Sequence, residues 1–224
     1  MGLDITLFMA DWERLGAVPA ADRADALGDA ICALDHNDDY RGNELSGDWL
    51  WPPDRESAWC AEYVFRTTTG AYSPHFRAGN AWNDMRLLVD ASARGAMDLF
   101  LTGLILDPDP ADGPASTDGA APDDSPTPGD GATPAGGRLF RSVAGHGFPS
   151  TPLECPPEAV SGKARTWKLV EPRLDGLREP FAAECEGWAG RPDTFEDFTA
   201  LLREWGDVTA DAARRGWGLV GLPW

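Results

Sequence analysis

Three histidines, His36, His75 and His146, are the only imidazoles in this chain, so histidine chemistry has few places to occur. A nucleophile with its base needs a Ser or Cys beside a His, and Ser73 and His75 would share one face of a strand. Pro74 lies between them, however, and neither a G-x-S-x-G elbow nor a glycine-rich phosphate loop occurs anywhere, Gly145-His146-Gly147 included. The run Asp35, His36, Asn37, Asp38 and Asp39 gathers oxygen and imidazole donors that suit a divalent ion. It lacks the order of a calcium-binding loop, and reads instead as a solvated loop at the C-terminal end of a helix. A third constellation is Arg66, His75 and Arg77, which an antiparallel hairpin would bring together with Trp49, Trp51 and Trp82 from the flanking loops. Cations beside indoles suit an anion or an aromatic ligand. The alternative pairs these cations with neighbouring carboxylates and puts the tryptophans in the core. No catalytic residue, metal site or cofactor is expected.

The elements that must position these residues emerge from periodicity. Leu3, Ile5 and Leu7 alternate with Asp4, Thr6 and Phe8, which predicts a first strand. Asp11 can cap a helix beginning near Trp12, and Ala24, Leu27, Ile31 and Leu34 predict a second helix over Ala20 to Leu34. Asp35 to Asp54, rich in Asp, Asn, Gly and Pro, reads as a long ordered loop. Trp59 to Thr67 and Tyr72 to Ala78 have strand-like content around Thr68-Thr69-Gly70, which predicts the hairpin. Ala91 to Leu106 is a central helix, apolar around more than half its circumference.

Asp107 to Gly137 contains only Asp, Pro, Gly, Ala, Ser and Thr, too little apolar surface to offset the entropy of ordering it. We expect a disordered insert that interrupts a single domain made of residues 1–106 and 138–224. Beyond it, Arg138 to Val143 suits a short strand, and Glu154 to Pro157 marks a helix start. Trp167, Val170, Leu174, Leu177 and Phe181 continue helically, divided or kinked by Pro172 and Pro180. Asp193 and Glu196 have capping-box spacing before Phe195, Phe198, Leu202, Trp205, Val208 and Ala212, and Gly216 stops that helix. Trp217 to Leu222 then suits a strand beside the first. The expected fold is α+β, with a small antiparallel sheet of terminal strands and a central hairpin packed by four to six helices.

The formal charge is −18, and removing the seven aspartates of the insert leaves about −11 on the rest, enough to repel a phosphate backbone or an anionic membrane. A basic protein would instead be steered toward this surface. Met1 to Met9 is too short and too interrupted by Asp4 for a signal peptide, and Thr102 and Gly103 break the longest apolar run, so a cytoplasmic location is expected. Cys32, Cys60, Cys155 and Cys185 contain no C-x-x-C pair and read as reduced core thiols.

The opening Gly2-Leu-Asp-Ile-Thr and the ending Ala212-Ala-Arg-Arg-Gly-Trp-Gly-Leu-Val-Gly-Leu resemble the two ends of uncharacterised actinobacterial proteins of similar length, as does a basic complement with only Lys163 and Lys168 as lysines. More distantly, the ending is similar to that of the YfbM-like family of small bacterial proteins. The resemblance implies an α+β domain with paired terminal strands and brings no catalytic motif. The function expected from charge is that of a non-catalytic interaction protein, such as an immunity or antitoxin-type inhibitor of a basic partner. A small enzyme or ligand-binding protein using the Arg, His and Trp residues above is the alternative.

Overall fold

The computed structural model describes residues 5–31, 44–46, 48–68, 73–106, 139–140 and 153–223. The predicted insert, the Asp35 to Asp39 cluster, Cys32 and Gly145 to Gly147 lie outside them.

Strand β1 (Ile5–Ala10) is central to a six-stranded antiparallel sheet, with β6 (Gly218–Pro223) on one side and β4 (Cys60–Tyr63) on the other. β3 (Trp49–Trp51) and β2 (Glu44–Ser46) extend it beyond β4, and β5 (Leu153–Cys155) extends it beyond β6. The terminal strands therefore pair as the sequence predicts, Leu7 standing between Tyr63 and Gly221.

The period-2 alternation of β1 makes the sheet two-sided. Leu7 and Met9 enter a large core, and Phe8 and Ala10 a smaller one on the opposite face. Helices α1 (Trp12–Ala17) and α2 (Arg23–Ile31) cover the smaller core. The larger lies under α3 (Ser73–Met85), α4 (Ala91–Leu101), α5 (Pro157–Val170), α6 (Arg178–Glu184) and α7 (Phe195–Arg215). A 3₁₀ segment, Glu171–Leu177, carries α5 directly into α6, with Pro172 in its first turn. Pro180 sits early in α6, where its missing N–H costs no helical bond.

Local signals set the helix ends. Asp11 caps α1, accepting from Glu13 N and Arg14 N, and Asp90 caps α4 through Ser92 N and Ala93 N. The capping box of α7 lies one residue beyond the predicted pair. Thr194 Oγ1 accepts from Asp197 N at 3.1 Å and donates to Asp197 Oδ2 at 2.7 Å, because Thr194 rather than Asp193 is the extended residue before the first turn. Gly216, with φ of +69°, closes α7. Within α7, Gly206 lets the Trp167 indole of α5 come close against the helix, since a Cβ there would overlap the ring.

Three predicted elements need correction. The second arm of the hairpin, Tyr72 to Ala78, is helical from Ser73 onward: Pro74 occupies the first turn, and His75, Ala78, Ala81, Trp82 and Met85 bury one helical face. Within the predicted loop, Glu44–Ser46 and Trp49–Trp51 are strands, paired antiparallel to each other. Of the strand predicted over Arg138 to Val143, only Leu139 and Phe140 are described, and they form a bend. The helix expected to start within Glu154 to Pro157 begins at Pro157, and Glu154 and Cys155 belong to the three-residue strand β5.

Candidate functional site

The six predicted site residues do not converge on one place; only Trp49 and His75 share a cluster. Trp49 and His75 join one buried aromatic row. Trp49 meets Tyr63 at 4.9 Å between ring centroids, Tyr63 meets Phe65 at 4.8 Å, and Phe65 meets His75 at 4.7 Å. The row ends on Trp205 of α7, whose Nε1 donates to His75 Nδ1 at 3.1 Å. An indole nitrogen only donates, so Nδ1 must be unprotonated, and burial holds the His75 pKa down to about 4. His75 is thus a neutral core histidine, with exposed Ser73 turned away from it.

Trp82 lies two turns along α3 from His75, fully buried, with Nε1 donating to Asp98 Oδ1 at 2.7 Å. Asp98 also accepts from Arg86 at 2.5 Å, which fixes α3 against α4. Arg66 and Arg77 are exposed; Arg66 pairs with Asp48. The helical form of residues 73–85 separates Arg77 from Arg66, because a helix turns successive side chains by about 100°.

Trp51, two residues after Trp49 on β3, faces a different group. The guanidinium carbon of Arg215 lies 4.3 Å from its ring centroid and that of Arg55 lies 4.8 Å away. Arg215 also covers Trp217 at 5.3 Å. Burial, then Arg55 and Arg214, lower the Arg215 pKa. The Trp51 indole N–H is buried and has no hydrogen-bond partner among the described residues.

Beside this cationic end, α7 carries an acidic stripe that sequence reading missed, although Glu204, Asp207 and Asp211 have helical spacing of three and four. Glu204 turns inward. Its carboxylate accepts from Arg66 N at 2.6 Å, from Thr67 N and from the Thr67 hydroxyl, so it pins the chain where it leaves β4. Asp211 accepts the Trp49 Nε1 proton at 2.7 Å and pairs with Arg214. Asp207 is exposed between them, and its carboxyl pKa is raised by partial burial, then by Asp211, Glu171, Asp48 and Glu204.

The described cysteines Cys60, Cys155 and Cys185 are buried thiols, and desolvation pushes Cys60 up to about 12 and the other two up to about 11. Among the described residues no group of His, Cys, Asp and Glu could hold a metal ion, and no helix is long and apolar enough to cross a membrane. Comparison with protein-family models, with curated proteins and with solved structures gave no match.

Proposed function

We propose that the chain is a cytoplasmic, non-catalytic interaction protein whose acidic α7 face docks a basic protein, as an immunity or antitoxin-type inhibitor would. The carrying observation is the stripe of Glu204, Asp207 and Asp211 along α7, on which Asp207 is exposed and its carboxyl pKa is raised by partial burial and then by four further carboxylates. Like charges held this close repel, and an incoming Lys or Arg surface relieves the repulsion while being steered by the −18 net charge.

The test is capture of partners from host lysate at low and high salt, by the wild type and by an Asp207→Lys, Glu171→Lys variant. One stoichiometric basic protein, released by salt and not bound by the variant, supports the reading. A bound set indifferent to both salt and charge reversal removes it.

A second reading, a ligand-binding protein, is favoured by the unpartnered Trp51 N–H beneath Arg215. Of the six residues singled out from sequence, it uses only Trp51. Aromatic carboxylates that raise the melting temperature of the wild type but not of Arg215→Ala would support it, and equal shifts in both would not.

A further inference from the structure

Leu139 and Phe140 are held on the α1–α2 side of the sheet in the way a bound peptide is held. The N–H of Leu139 donates to Glu154 Oε2 at 2.7 Å, and the N–H of Phe140 donates to Oε1 of the same carboxylate at 2.9 Å. The Leu139 carbonyl accepts from Arg23 Nη1. Both side chains are buried, 4% and 8% exposed, in the smaller core that includes Leu15, Leu27, Ile31, Val220 and Leu222. Main-chain groups are thus read by a carboxylate on one side and a guanidinium on the other, and side chains by apolar surface.

The guanidinium side of this seat is also held by contacts that do not involve its occupant. Arg23 donates to Val18 O at 2.9 Å, Gly16 O at 3.1 Å and Leu15 O at 3.2 Å, so its guanidinium is fixed at the end of α1 whether or not Leu139 is present. Glu154 belongs to β5, opposite Val220 of β6, and is only partly buried, so its carboxylate can be solvated when the two amides leave. A guanidinium already fixed in this way lowers the cost of ordering the seat around a new segment.

We infer that the α1–α2 face is a peptide groove, filled here by the chain's own Leu139–Phe140, that takes a leucine–phenylalanine segment in the same bent form from a basic partner in exchange. In sequence the resident pair is flanked by Arg138 and Arg141, the composition a basic protein would offer to an acidic one. The partner's basic character rests on the function proposed above, whereas the groove rests on Arg23, Glu154 and the buried pair alone.

The probe is a fluorescein-labelled, end-capped Arg-Leu-Phe-Arg peptide, titrated by fluorescence anisotropy into the full chain and into a Leu139→Ser, Phe140→Ser variant. The resident segment competes in the wild type, so the variant should bind at least about tenfold more tightly. Equal affinities overturn the inference, as does an absence of saturable binding to a variant that keeps the wild-type circular dichroism. Should the variant lose its fold, amide hydrogen exchange of the wild type decides: Leu139 and Phe140 exchanging ahead of β1 and β6 supports an exchangeable occupant, and exchange only together with those strands overturns it. Neither measurement involves the α7 carboxylates, so the groove and the acidic docking face succeed or fail separately.

Discussion

On the α3–α7 side, β1 sends Leu7 and Met9 against whole helices whose aromatic rings lock together, Phe100 on Trp167 at 4.9 Å and Phe181 on Phe195 and Phe198 at 5.7 Å. On the α1–α2 side, Phe8 and Ala10 meet two short helices and the Leu139–Phe140 pair, which Arg23 and Glu154 hold through its main chain. The first face is closed by many mutually supporting contacts and the second by a few polar anchors. Loss of one side chain should therefore be global on the first face and local on the second.

Trp205 gives the largest contrast. Trp205→Ala empties the site where α7, Phe65 and His75 meet and leaves His75 Nδ1 without its donor, so chemical denaturation should show a loss of about 3–5 kcal/mol.

His75 comes next. Its folded pKa, about 4, lies below its ordinary 6.5. Above pH 6.5 both folded and unfolded chains keep the imidazole neutral and this contribution to stability is complete. Between 6.5 and about 4 only the unfolded chain takes up the proton, so stability falls as pH falls, by on the order of 3 kcal/mol, and below that window the loss is finished. Denaturant midpoints of the wild type and His75→Gln across this range check it, because the variant should lose that part of the slope.

Gly206→Ala places a methyl group in the Trp167 ring and should cost about 1–3 kcal/mol as α5 and α7 separate. On the other face, Leu139→Ala should cost about 2 kcal/mol, the low end for a buried leucine, whereas Leu202→Ala on α7 should approach the high end. Equal losses for the two leucines, measured by thermal or urea unfolding, would erase the distinction between the faces.

The heavily packed face was also the more legible in sequence. β1, α7, β6 and, as far as Leu101, the helix expected over Ala91 to Leu106 arise from runs long enough for their period to show, with Gly216 as an end signal. Residues 72–78 misled because Tyr72 and Phe76 match strand composition, while Pro74 is harmless only in the first turn of a helix, and that helix declares itself only through Ala81, Trp82 and Met85 further along the chain. β2, β3 and β5 are three residues each, too short for alternation to register. The candidate site was less legible still. Helical spacing could reveal the stripe on α7, but Glu204 reaching Thr67, or Arg215 lying over Trp51, joins residues far apart in sequence, and only the fold brings them together.

Among the described residues the two rims of the sheet are β2 and β5, each three residues long, while the six-residue strands β1 and β6 lie inside. A rim of three residues offers too few main-chain groups to template another strand, which protects the molecule from edge-to-edge polymerisation and leaves its side-chain surfaces as the places where another protein can attach.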